Sequence, residues 1–73
     1  MEIAPRIVVD QKIRQGKPII AGTRVSVDLV IERLASGMTR EEVMQEYDLS
    51  KEDVLAALAY AAHSLADEQV RAV

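Results

Sequence analysis

The side chains able to do chemistry are few, and most of them are carboxylates. Asp28 and Glu32 stand four residues apart, as do Glu42 and Glu46. That spacing sets both acids of each pair on one face of a helix. Such a pair could hold a divalent metal or divide acid and base roles. Both pairs, however, fall on the polar side of their segments, where i, i+4 acids are ordinary solvated charges. His63 is the single histidine and no cysteine is present. Thiolate sites and disulfides are therefore excluded, and a zinc site has almost no ligands to draw on. Gly16 and Gly22 bracket a stretch with a lysine, and Thr23 follows it, but their spacing fits neither a P-loop nor a dinucleotide fingerprint. Tyr60 reads as a core-edge or interface residue. No catalytic, cofactor-binding or metal-binding residue emerges, and no cofactor is expected.

The cations are more informative because they are unevenly placed. Residues 1–25 carry Arg6, Lys12, Arg14, Lys17 and Arg24 against Glu2 and Asp10, a balance of +3. Residues 26–73 carry four cations against ten acids, a balance of −6. A basic segment on an acidic body suits an anion-binding arm, and it suits equally the pairing of two copies, basic end against acidic body. Lys12, Arg14, Lys17 and Arg24, together with Arg40 and Lys51, are the candidate contacts to nucleic acid or a partner. Alternatively they are ordinary solvated charges, with Arg24 paired to Asp28 or Glu32.

These side chains must be positioned by a very small domain. A chain of 73 residues buries only about 60% of its unfolded surface, so an isolated fold is marginal. Without disulfides or metal, oligomerisation or docking on a larger partner is the remaining support. No apolar run approaches the length of a membrane-spanning helix, and the N-terminus lacks the apolar core of a secretion signal. The expected setting is cytoplasmic, with no membrane partner.

Residues 6–25 read as a short β-ribbon. The Arg6–Ile13 segment is rich in β-branched residues, Gly16 supplies a turn, and Pro18 delays the next strand to Ile19 and Ile20. Ala21-Gly22 gives a second turn or bulge, and Thr23–Val25 a further extended run. Either the helices cover this ribbon or a second chain pairs with it, so Ile19 and Ile20 are candidates for a dimer or partner face.

From Ser26 onward the periodicity is helical. Ser26 is a good N-cap for a helix over about 27–36, with Val27, Val30, Ile31 and Leu34 as its apolar stripe and Gly37 as its stop. Thr39 and Glu42 form a capping box for a short helix over about 40–47. Ser50 and Asp53 repeat that pattern for a third helix. Val54, Leu58, Ala61 and Leu65 form one apolar row on it, and Leu55, Ala59 and Ala62 belong to a second. A helix apolar on two sides needs a core on one and a contact on the other, so Leu55, Ala59 and Ala62 are further candidates for a dimer or partner face. Beyond Asp67 the helix turns polar and is expected to fray.

The second helix, a four-residue connection and the third helix make a helix-turn-helix, supported by the first. The expected fold is mainly α: a three-helix, homeodomain-like bundle (26–71) behind an N-terminal ribbon (6–25), in a single domain spanning residues 1–73. A DNA-reading helix should present Arg, Lys, Asn or Gln near its start. The third helix presents Ser50, Lys51, Glu52 and Asp53 instead.

The run Gly16-Lys17-Pro18-Ile19-Ile20-Ala21-Gly22-Thr23-Arg24-Val25, the stretch Gly37–Val43 and the segment Tyr47–Val54 followed by Ala56–Tyr60 together resemble the domain of unknown function numbered 433. This is a family of small bacterial and archaeal proteins with a homeodomain-like helical core. The likeness extends over about residues 6–65. It implies a non-enzymatic, antitoxin-like homodimer built on an N-terminal ribbon, a PIN-like ribonuclease toxin as partner in an arrangement similar to VapBC modules, and operator DNA as a further ligand. It also implies that an arginine, Arg24 or Arg71, enters the acidic metal site of such a nuclease. From the residues alone, a stand-alone helix-turn-helix regulator and a purely structural dimerisation module stay open as rival readings.

Overall fold

The computed structural model describes the backbone of residues 1–72 and the side-chain surroundings of residues 1–67. Three short strands, β1 (Glu2–Ala4), β2 (Ile7–Val8) and β3 (Ile19–Ile20), precede three helices, α1 (Val27–Ala35), α2 (Arg40–Tyr47) and α3 (Lys51–Ala72). The strands form one antiparallel sheet in the order β1-β2-β3. Ile7 lies opposite Ile20 and Val8 opposite Ile19.

The sheet belongs to the chain's own core. Side chains alternate across a strand, and the Ile7/Ile20 pair enters a single cluster with Val27, Val30, Val43, Leu49, Val54 and Ala57. Of the two arrangements open from sequence, helices covering the strands is therefore realised within one chain. Ile19, on the other face, is 1% exposed and Ile20 fully buried. Neither side chain is available to a partner, which corrects their placement on a dimer face: two strands this short cannot stand without cover.

The strands differ from expectation in extent. β1 was not expected, and the Arg6–Ile13 run contributes only two strand residues. Asp10 is the reason: its carboxylate accepts from the Lys12 N–H at 2.9 Å and its carbonyl from the Ile13 N–H at 2.9 Å, which turns the chain early. The turn continues through Arg14, Gln15 and Gly16, three consecutive residues at positive φ (52°, 57° and 81°). Thr23–Val25 is likewise a turn, not a strand. The Thr23 hydroxyl donates to the Ile20 carbonyl at 2.8 Å and accepts from the Val25 N–H at 3.0 Å, while Gly22 takes φ +80°. Val25 and Ser26 then close the outer edge of β3, through the Ile20 N–H donating to the Val25 carbonyl at 2.9 Å and an Ile19–Ser26 bridge.

The helix starts follow the sequence closely. Ser26 caps α1 by accepting from the Leu29 N–H at 3.3 Å. The Thr39 N–H donates to Glu42 at 2.8 Å and the Glu42 N–H to the Thr39 hydroxyl at 3.1 Å, completing the capping box of α2. Ser50 and Asp53 make the same reciprocal pair at the start of α3, both bonds at 3.1 Å. Gly37, at φ +107°, stops α1, and the Met38 N–H reaches back to the Arg33 carbonyl at 3.2 Å. α2 ends on Asp48 in the left-handed region, φ 54°, a conformation that Asp tolerates better than most residues. The connection to α3 is thus three residues, 48–50, one fewer than expected. The helical backbone of α3 continues to Ala72, past Asp67 where it was expected to fray; the side chains of residues 68–73 lie outside the described residues.

One helix face was misjudged. On α3 the residues sunk in the core are Val54 and Ala57, with Tyr60 and Ala56 packed against the cluster. Leu58 and Leu65, expected to face inward, are 37% and 58% exposed. The core side of α3 runs through Val54 and Ala57, and the two leucines fall at its exposed margin.

Candidate protein-docking surface

The N-terminus of α3 is held from two directions. Ser50 and Asp53 cap it locally, and the Arg6 guanidinium, from the β1–β2 turn, donates to the Asp53 carboxylate at 2.9 Å. Asp53 is 16% exposed and Arg6 about half exposed. Burial works to raise the Asp53 pKa, but the Ser50 backbone N–H and the Arg6 guanidinium outweigh it, and the carboxyl lies below its usual value. Arg6 itself stands at φ 64°.

This clamp sets the direction in which α3 presents its outer face. Lys51, Glu52, Leu55, Leu58, Ala59, Ala62 and Leu65 are all exposed. The exposed face of the third helix is what a helix-turn-helix lays in the major groove. Here that face carries one cation and one acid in its first turn and then only Leu and Ala. Beyond Lys51 and Glu52, its leucines and alanines offer no hydrogen bond to a base edge. Leu55, Ala59 and Ala62, candidates for a partner face, all stand on it, with Leu55 43% exposed.

A second apolar surface lies where α1 and the C-terminal half of α3 diverge. Pro18, Val27, Ile31, Tyr60, Ala61 and Leu65 line a groove of about 520 Å³, with Lys17, Asp28 and Glu32 at its rim. Lys17 donates to Asp28 at 3.2 Å across exposed surface. A hydrogen bond with the Ser26 side chain, then the Lys17 ammonium, hold the Asp28 carboxyl below its usual value against a small burial effect. At the far end of the bundle the Arg33 Nε–H donates to the Tyr47 hydroxyl at 2.9 Å, tying α1 to α2 and raising the Arg33 pKa.

The six candidate cations do not form one patch. Arg14 and Lys17 line a cleft with Ser26, Asp28, Leu29 and Glu32, so acids share the space that a phosphate would need. Arg24 is exposed beside Met1, Val8 and Ile13 in a different groove. It joins no ion pair among the described residues, and Asp28, one of its expected partners, is taken by Lys17. Lys12 is exposed on the Asp10 turn. Arg40 and Lys51 occupy the first positions of α2 and α3, also exposed. Glu42 is held as a capping residue and Glu46 lies on exposed surface. Among the described residues no three acids or histidines gather as a metal site would require, and no helix is long and apolar enough to cross a membrane.

Sequence reasoning did not find Arg6 or the Arg33–Tyr47 bond. Both join residues far apart in the chain, and neither has a local spacing signature.

Fold and surface together define a small helix-turn-helix protein whose third helix, beyond Lys51 and Glu52, presents an outer face of Leu and Ala. The family model described as a protein of unknown function, DUF433, matches residues 7–61, and the chain belongs to that family. No curated protein and no solved structure matches it.

Proposed function

We propose that the protein is a non-enzymatic, antitoxin-like binding module that pairs with a second copy and docks on a PIN-like ribonuclease toxin. The observation that supports this reading is the surplus apolar surface: the outer face of α3 runs through Leu65 into the groove between α1 and α3, a continuous apolar area for a protein partner to cover. The identity of the toxin partner rests on the family resemblance. Arg24, exposed and outside any ion pair among the described residues, is the described side chain best suited to enter an acidic metal site; Arg71 lies outside the described side chains.

Co-expression with the product of the neighbouring gene tests the reading. The two proteins are expected to co-purify, and the purified protein to suppress RNA cleavage, with suppression weakened by Arg24→Ala. A neighbour that is no nuclease, or a nuclease indifferent to this protein, overturns it.

A second reading, a helix-turn-helix DNA-binding regulator acting alone or as autoregulation of the operon, is favoured by one observation. Arg40 and Lys51 both sit exposed at helix starts, and cations and helix N-termini are common phosphate contacts in protein–DNA complexes. It predicts affinity for the protein's own promoter that falls steeply with salt and weakens when both residues become Ala. No retardation of promoter DNA at low salt dismisses it.

A further inference from the structure

β1 is the least anchored strand of the sheet. None of its residues joins the buried core cluster, and only Ala4 packs against it. Ile3 is 41% exposed. Ile3, Ala4 and Pro5 face Ala56, Ala59 and Tyr60 of α3 across an open groove of about 590 Å³. What holds β1 is its ladder to β2, where Glu2 stands opposite Val8 and Ala4 opposite Ile7, with an irregularity between them.

The turn that closes this ladder is poorly matched to a hairpin. Its two central residues are Pro5 and Arg6. Two-residue hairpins favour the primed turns, which need positive φ at the first central residue, whereas proline is fixed near −65°. The positive φ falls instead on Arg6, at 64°, in a conformation that suits glycine. Opened out, the same pair continues a strand. Proline's φ lies in the extended range, it biases Ala4 the same way, and Arg6 leaves the left-handed region.

We propose that two copies of the protein exchange β1: Pro5 and Arg6 extend, and β1 of each copy pairs with β2 of the other. This deepens the pairing proposed above and rests on it.

The occupant follows from the place that β1 vacates. That place takes an antiparallel strand with Ala4 opposite Ile7 and Glu2 opposite Val8, and a second copy supplies this strand by symmetry. The ladder re-forms between chains, including the bond from the Val9 N–H to the Met1 carbonyl, 2.9 Å within one chain. Exchange needs no additional surface and removes a short hinge under strain, the condition that invites swapping. Two side-chain bonds favour the closed form. The Arg6 N–H donates to the Glu2 carboxylate at 3.2 Å and the Arg6 guanidinium to Asp53 at 2.9 Å. Arg6 is common to both and about half exposed, and exposed ion pairs contribute little.

The chain has no native cysteine, so a disulfide can report which copy β1 pairs with. Glu2 and Val8 flank the hydrogen-bonded Met1–Val9 pair. Cα atoms of such neighbouring, non-hydrogen-bonded pairs stand about 4.5 Å apart, within reach of a disulfide. Sedimentation of the unmodified protein at micromolar concentration is expected to give a dimer. Oxidation of the Glu2→Cys, Val8→Cys double variant is expected to give a covalent dimer on a non-reducing gel, and neither substitution alone to link two chains. Pro5→Asn with Arg6→Gly installs a turn that two-residue hairpins prefer. It is expected to halve the sedimenting mass and to leave the helical circular dichroism unchanged. Exchange is overturned, and pairing by another surface left standing, by any of three results in a dimeric protein. These are oxidation of the double variant only within one chain, equal linkage by a single cysteine, or a Pro5→Asn, Arg6→Gly variant that stays dimeric. A folded monomer in the unmodified protein overturns both.

Discussion

Arg6 donates to Asp53 at 2.9 Å across forty-seven residues of sequence, fastening the turn between β1 and β2 to the first turn of α3. The bond ends on a carboxylate that is already capping α3. Asp53 therefore serves the helix and the sheet at once, and its loss is felt by both.

Replacing Asp53 with Ala is expected to cost about 0.5–2 kcal/mol, the range of a lost helix cap, and more than the loss of its partner. Arg6→Ala removes a half-exposed ion-pair member and is expected to cost under about 1 kcal/mol. Because Arg6 stands at φ 64°, Arg6→Gly should be no worse than Arg6→Ala: relief of the left-handed strain offsets the added freedom of the unfolded chain. Urea titrations of the three variants check the order.

The same carboxylate gives the protein an acid limb. Its folded pKa is depressed, so its contribution is complete above the unfolded carboxylate value of about 3.9 and is lost as pH falls from there through the folded pKa. Asp28 acts in the same sense from a more exposed position. Thermal melts between pH 7 and pH 2 should show stability falling below about pH 4, with a shallower fall in Asp53→Asn.

Tyr47→Phe deletes the hydroxyl that accepts from Arg33 at 2.9 Å while keeping the ring. A modest loss of stability is expected, with no change in secondary structure. Denaturant midpoints at constant slope would register it.

Ile20→Ala distinguishes a sheet that belongs to the core from a detachable arm. Ile20 is fully buried among helix residues, so truncation is expected to cost about 2–5 kcal/mol, enough to unfold much of so small a domain. Ile20→Val should cost about 0.5–1.5 kcal/mol. Circular dichroism at 25 °C separates the two; a fully helical, undiminished Ile20→Ala protein would contradict the packing.

The helices were legible in the sequence because their signals are local. Ser26, the Thr39/Glu42 box, the Ser50/Asp53 pair and Gly37 each act within four residues, and the helices start and stop where those residues stand. The strands were less legible, because a two-residue strand has no periodicity to read. β2 ends early only through the Asp10 turn, and Thr23 bends a stretch whose composition suits a strand. On α3 both apolar rows were visible, but the core takes Val54 from one row and Ala57 from neither, because alanines nearly all round the helix leave its inward side undetermined by periodicity. For the candidate surface, Leu55, Ala59 and Ala62 were recognisable as surplus apolar residues. Ile19 and Ile20 were misplaced because burial inside a sheet and burial under a partner leave the same mark on a sequence.

The core couples the two ends of the chain in time as well as in space. Ile7 and Ile20 leave the ribosome early, yet the cluster that shelters them includes Val54 and Ala57. At synthesis rates of about 5–20 residues per second, the wait between Ile20 and Val54 is on the order of a few seconds. During that interval Ile7 and Ile20 have only part of their native surface to bury against. The nascent protein is therefore most vulnerable to wrong association in its first third, and that vulnerability ends when the first turn of α3 emerges and Asp53 reaches Arg6.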